Sequence, residues 1–327
     1  MLPRPAIFIF YSFLAIIVPA CSGPNDEKGV ARQKDFTLNE KDLIPEGLAF
    51  DSTSKSIFVS STHKRKIVRI DSAGRVSDFI KEKQNGVWST LGMEVDAGRR
   101  HLWVISSQAK EVLPLSDPDS LQWRSAIYQY NLETGALTDS CLLSHKNVFL
   151  NDLTVAENGD VYATESMQNG IYCLKAGTDS LALFLSPQPY TFLNGISFSD
   201  QPGQLFVSAT EGVLKIDMAT YQYKLLKTSD SINVKEIDGL TYYKGSLIGH
   251  QSSKVVKFLL NDKQDSIIHS TILNTGPEFD SSTTGETGDD NYYFIVNSQI
   301  RSGIDFRKQV IKPLDSLEKI IIRKISL

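Results

Sequence analysis

Self-repetition limits this chain more than any other feature. The segments PEGLAFDSTSKSIFVSS, TLGMEVDAGRRHLWVISS, LNDLTVAENGDVYATES, LNGISFSDQPGQLFVSAT, IDGLTYYKGSLIGHQ and TTGETGDDNYYFIVNSQ follow one template. Each has a small or polar pair, four or five alternating residues, a turn, and a second β-rich run ending in Ser, Thr, His or Gln. Aligned on Gly47, Gly92, Asp152, Gly195, Gly239 and Gly285, the units stand 45, 60, 43, 44 and 46 residues apart. Third runs follow in KIVRID, AIYQYN, GIYCLK, GVLKID and KVVKFL, and a weaker fourth follows in most units. No stretch keeps a helical period over three turns. Six four-stranded units predict an all-β, six-bladed β-propeller, in which each sheet buries its faces against its neighbours. The extra residues of the second spacing fall at 107–125, as a loop that would either lie over a channel mouth as a lid or pack on its own blade.

Composition removes other classes. The chain has 327 residues, 34 Lys and Arg against 38 Asp and Glu, and a formal charge of −4. With no Lys/Arg block, it offers no electrostatic footprint for nucleic acid. Three cysteines (Cys21, Cys141 and Cys173) make neither a disulfide framework nor a Cys-rich zinc site. A chain this long builds its core without such staples. The Gly-rich phosphate loop, the Gly-x-Ser-x-Gly elbow and the His-Glu-x-x-His helix are absent from the sequence. Trp88, Trp103, Tyr128, Tyr130, Tyr292, Tyr293 and Phe294 fall on strand patterns and are expected to pack between blades.

The first 20 residues read as an export signal. Arg4 precedes the apolar run AIFIFYSFLAIIVPA, which is short for a membrane span and stops at small residues before Cys21. Val18-Pro19-Ala20-Cys21 resembles the bacterial lipoprotein box, which implies lipidation at Cys21. The alternative is an ordinary secretory signal cut near Ala20. Residues 21–40 read as a flexible tether and 41–327 as the propeller. The expected location is the bacterial cell envelope, periplasmic or at the outer-membrane surface, with the membrane met only through the lipid and the protein a monomer.

The alignment also carries chemistry. The residue before each anchor begins an innermost strand at one channel mouth, and that column reads Glu46, Leu91, Asn151, Asn194, Asp238, Thr284. Two carboxylates and two amide carbonyls facing one point form a hard-oxygen set of charge −2, suited to one Ca²⁺ and less to Mg²⁺, with another divalent metal possible. The competing reading is that Asn and Asp are common turn residues before strands.

Ile44-Pro45-Glu46-Gly47, Leu150-Asn151-Asp152-Leu153, Leu193-Asn194-Gly195-Ile196 and Asp238-Gly239-Leu240 resemble the metal motifs of the SMP-30/gluconolactonase group of the calcium-dependent phosphotriesterase superfamily. The resemblance implies that Glu46, Asn151, Asn194 and Asp238 ligate calcium and that Asp238 takes part in hydrolysing a lactone or related ester. Where one branch carries an Arg two residues before the third-blade Asn, this chain has Phe149, which argues against a sugar-acid lactone. Asp238 as nucleophile or water-orienting group suits a carboxylate on a cation better than general base does. Loops after the second strands are expected to wall the pocket with Phe149, Glu165, Gln251 and Gln299. His250 there is either a proton shuttle or a solvated loop residue. The alternative function is a non-catalytic propeller with a structural metal, binding a carbohydrate, peptide or protein.

Overall fold

Short runs with apolar residues on both sides of the strand need a neighbour on each face, and the computed structural model supplies one. It describes residues 33–108, 123–143, 145 and 147–327. Six antiparallel four-stranded sheets stand around a channel as a six-bladed β-propeller. Blade 1 is Leu48–Asp51, Ser56–Ser61, Lys66–Ile70 and Val76–Ile80, and blade 2 is Ser89–Asp96, His101–Ser107, Ser125–Asn131 and Leu137–Leu142. Blade 3 is Leu150–Val155, Val161–Glu165, Gly170–Leu174 and Leu181–Leu185, and blade 4 is Ile196–Phe198, Gln204–Ala209, Gly212–Asp217 and Tyr223–Leu225. Blade 5 is Leu240–Tyr243, Ser246–Gln251, Lys254–Leu260 and Ile267–Thr275. Blade 6 is Gly285–Gly288, Asn291–Ile295, Ile320–Ser326 and, as its outer strand, Gln33–Leu38.

Burial follows position in the blade. Second strands such as Ser56–Ser61 and Ser246–Gln251 are buried at every residue, whereas outer strands such as Val76–Ile80 expose most of theirs. Every junction between neighbouring blades has its own apolar cluster. Phe58, Met93 and Tyr130 join blades 1 and 2, Ile105, Leu153 and Val161 blades 2 and 3, and Tyr162, Ile196 and Leu205 blades 3 and 4. Phe206, Leu240 and Phe258 join blades 4 and 5, Ile248, Tyr292 and Phe294 blades 5 and 6, and Phe50, Val59 and Tyr293 blades 6 and 1. At about 1.5–3 kcal/mol per buried large aliphatic or aromatic side chain, these junctions are where the fold gains its stability. Cys141 and Cys173 are buried free thiols.

One boundary differs from expectation. Part of the presumed tether, Gln33–Leu38, is a strand, paired with Ile320–Ser326 from Gln33 opposite Ile325 to Leu38 opposite Ile320. The propeller therefore takes in residues 33–38, ahead of the expected boundary at 41. The run Ile320–Ser326 is the third strand of blade 6, and Gln33–Leu38 closes the ring as its fourth. Leu38 carries the closure by burial in the blade 6–blade 1 cluster, with Phe36 against it. Buried Arg323 adds two bonds of 2.8 Å to the Asp35 carboxylate and one of 2.6 Å to Glu278. Charge-assisted paired bonds of this type are the strong kind. The loop at 107–125 lies mostly outside the described residues.

Candidate functional site at the channel mouth

Small residues and hydroxyls at the blade junctions put the inner strands in register. A Cβ on Gly92 would lie 2.6 Å from the Cα of Asp152 in the next blade, and one on Gly195 would lie 2.6 Å from the Asp238 carbonyl oxygen. These glycines let one donor-bearing strand start pass against the next. Hydroxyls ending the second strands then bind carbonyls of the following blade. Ser107 Oγ donates to Leu150 O at 2.9 Å, Thr164 Oγ1 to Asn194 O at 2.7 Å and Ser208 Oγ to Asp238 O at 3.3 Å. Thr283 Oγ1 donates to Glu46 O at 3.0 Å, carrying the ring from blade 6 to blade 1. The Ser/Thr endings of the repeat are thus ties between blades.

Held this way, Glu46, Asn151, Asn194 and Asp238 line one void of about 10 Å³, room for a single ion or water. Asn194 Nδ2 donates to Asp238 Oδ1 at 2.6 Å, and Asn151 Nδ2 donates to Ser166 Oγ at 3.0 Å. Both amide nitrogens are therefore used, and both amide oxygens accept nothing from the described residues. Both Glu46 carboxylate oxygens and Asp238 Oδ2 are likewise unpartnered. Burial, then the charges of Asp238 and Asp152, hold the Glu46 carboxyl well above the ordinary carboxylate range. Burial also raises Asp238, against the Asn194 amide and the Arg301 charge, which lower it. Among the described residues no group of three or more His, Cys, Asp and Glu forms a metal cluster; the void is lined by the two carboxylates and two amides of the column and also by Asp152, whose carboxylate accepts the backbone N–H groups of Leu153 and Ile196.

Two larger cavities flank this point. Towards the other end of the channel lies one of about 340 Å³, into which Glu94, Asp152 and Glu286 face. Burial and then the charge of Glu286 push Glu94 up to about 8, and burial raises Asp152 to about 7. The second, of about 240 Å³, opens beside Asp238 between blades 5 and 6 and is lined by Lys235, Gln251, Ser252, Lys254 and Arg301, among others.

The expected pocket residues separate. Gln251 lines the cavity beside Asp238; its Nε2 donates to Asn233 O and Lys235 O, and its buried Oε1 has no partner. Phe149 lies in an apolar cluster with Ile44 of blade 1 and Ile300, Ile304 and Ile311 of the segment at 296–319 inside blade 6, and packs edge-on to Trp123. Glu165 lines none of these cavities: its carboxylate takes the backbone N–H groups of Phe149, Met167 and Gln168 at 2.7, 3.0 and 2.6 Å. Gln299 is also turned away, bonding the Glu318 backbone through both amide atoms at 2.8 and 3.0 Å.

His250 is neither a shuttle nor a solvated loop residue. It is fully buried, with Nδ1 at 2.8 Å from Ser282 Oγ and Nε2 at 2.7 Å from Tyr292 Oη. Ser282 Oγ donates onward to Ile295 O at 2.5 Å. His250 thus ties blade 5 to blade 6, as the hydroxyls do elsewhere, and burial lowers its pKa to about 3, so the ring is neutral. Lys235, Lys254 and Arg301 were not legible from the template. Arg301 comes from the segment inside blade 6, Lys235 stands just before the fifth repeat motif, and Lys254 opens the run KVVKFL, whose place in the strand pattern says nothing of a cavity.

No protein-family model matches the sequence, and no curated protein does. Solved structures match the fold. A gluconolactonase from Xanthomonas campestris superposes with a TM-score of 0.62 at 15% identity, over 90% of each chain. A luciferin-regenerating enzyme gives 0.61 at 14% identity, over 90% of this chain and 96% of that one. Virginiamycin B lyase from Staphylococcus aureus, solved with quinupristin, gives 0.58 at 13%, over 90% of this chain and 99% of that one. This chain has the fold of the gluconolactonase-type propellers. At these identities the likeness concerns architecture alone.

Proposed function

We propose that the chain is a metal-dependent hydrolase of lactones or related esters, with one Ca²⁺ held by Glu46, Asn151, Asn194 and Asp238. One observation carries the reading: five acceptor oxygens, two of them on Glu46, surround a void the size of one ion and take no hydrogen bond from the described residues. Acceptors without protein donors leave the place to water or a cation, and a convergent set of carboxylate and amide oxygens suits a hard cation. A divalent ion bound there supplies positive charge that polarises a carbonyl or phosphoryl oxygen.

The chain's own groups do the rest. The Asn194 amide fixes one oxygen of Asp238 at 2.6 Å and leaves the other free. That free oxygen meets the substrate, either attacking the acyl carbon, so that the acyl–oxygen bond breaks, the alcohol leaves and water then hydrolyses the acyl-enzyme, or accepting the hydrogen bond that orients a water for direct attack. Both routes add one water in total across the acyl–oxygen bond and give an acid and an alcohol. The cluster of Phe149, Ile44 and Ile304 joins three blades, and Ile44 and Phe149 each stand two residues before a donor, Glu46 and Asn151. We also propose export and lipidation at Cys21, on the strength of the leader composition.

Thermal unfolding with excess Ca²⁺ and then with chelator tests the metal. Saturation at about 100 times Kd adds roughly 2.7 kcal/mol, a shift of a few degrees that Glu46→Gln and Asp238→Asn both remove. A Ca²⁺ shift without turnover of any lactone, aryl ester or phosphotriester leaves a binding propeller with a structural metal. No shift overturns the metal and the hydrolase together.

A further inference from the structure

We propose that the cavity between blades 5 and 6 receives an anionic group of the ligand, a carboxylate or a phosphate. Taken with the hydrolase reading above, on which this clause rests, the substrates are esters or lactones that carry a negative charge away from the reacting carbonyl.

The cavity, about 240 Å³, shares Asp238 with the donor ring, so a molecule seated in it reaches the proposed reacting point. Lys235, Lys254 and Arg301 converge on it, against Glu236 and Asp238. None of the three cations forms an ion pair with a carboxylate of the described residues. On a chain of net charge −4, many other cations are paired: Lys66 with Glu40 and Asp78, Arg100 with Asp51, and Lys175 with Asp160. Lys254 is partly buried at the cavity wall, whereas Lys235 and Arg301 are exposed, so all three charges are open to an incoming anion. Arg301 reaches Ser252 Oγ at 3.3 Å, which holds the guanidinium at the cavity wall with its other N–H groups free. The hydroxyls of Ser252 and Ser253 donate to no described residue, so two neutral donors stand with the cations. A guanidinium fork, two ammonium groups and free hydroxyls match the oxygens of a carboxylate or phosphate. Phe149 is in apolar contact with Ile44 and Ile304 and does not line this cavity, so the charge recognition lies on blades 5 and 6.

Titration calorimetry on the purified protein with succinate, inorganic phosphate and neutral succinamide tests this, with and without Ca²⁺. Succinate or phosphate is expected to bind and succinamide not to. Arg301→Gln and Lys254→Gln are each expected to weaken anion binding at least ten-fold at unchanged Tm, with partial recovery in Arg301→Lys. Tighter succinate identifies a carboxylate site, and tighter phosphate a phosphate site. Absence of anion binding, equal binding of succinamide, or binding indifferent to both substitutions overturns the proposal. The Ca²⁺ shift on the same samples separates the two readings. If it persists while anions fail, only the anion site falls; if it is absent while Arg301-dependent binding holds, only the hydrolase falls.

Discussion

His250 shows how little a residue's type says about its work. In sequence it stands at the end of a second strand, the place where a mouth residue was expected. In the fold it is sealed between Ser282 and Tyr292, and its neutral ring links two blades. His250→Ala is therefore expected to cost about 2–4 kcal/mol of stability, by leaving a void and removing the ring's bonds to Ser282 and Tyr292. Any turnover measured below the lowered melting point should stay within a few-fold of the native value; a loss of kcat with unchanged melting would restore a catalytic role. Glu165 misled for the same reason. A strand-end side chain goes inward to a backbone cage or outward to a pocket by local twist, which the residue type does not record. The donors were legible because each repeat contributes one residue to the column, so Glu46, Asn151, Asn194 and Asp238 converge once the spacing is known.

At the scale of elements, the repeats were readable wherever alternation ran over five or more residues, and third strands such as Lys66–Ile70 and Lys254–Leu260 fall on the runs picked from sequence. The outer strand of blade 6 was not readable. QKDFTL has only Phe36 and Leu38 as alternating large apolar residues, and its partner lies at the far end of the chain. A protein starting at residue 41 removes that strand and leaves the edge of Ile320–Ser326 unpaired. It should aggregate or melt well below one starting at residue 33, by light scattering and circular dichroism. Equal melting of the two would show that blade 6 needs no closure. The cavity carrying Arg301 was invisible in sequence because it depends on a segment that interrupts the template between the second and third strands of blade 6.

For the whole molecule, the channel end bearing Glu94, Asp152 and Glu286 sets a pH dependence. Glu94 is raised to about 8 by burial and by Glu286, so the folded state holds this proton more firmly than the unfolded chain. Its stabilising effect is fully present below the ordinary carboxylate pKa and is lost as pH rises through about 8. Melting temperature without metal is expected to fall between pH 5.5 and 8.5. Glu94→Gln should flatten the curve and add on the order of 2 kcal/mol at the alkaline end. A profile unchanged by the substitution would assign the dependence to other groups. The leader makes a separate prediction, read by cell fractionation. Cys21→Ser should release the exported protein from the membrane fraction, and retention there would exclude lipidation at this residue.

The bond from Arg323 to Asp35 spans 288 positions of sequence. Synthesis runs from the N-terminus, so the first strand made is the last to find its partner. Five blades can form from near neighbours while Gln33–Leu38 waits, and the ring shuts only when Ile320–Ser326 arrives. Until then Gln33–Leu38 has no partner and the edge of Asn291–Ile295 stands open. The time during which the newborn chain is vulnerable is set by its own length, and a nascent protein halted a few residues short of Ile320 would hold most of a propeller with nothing to lock it.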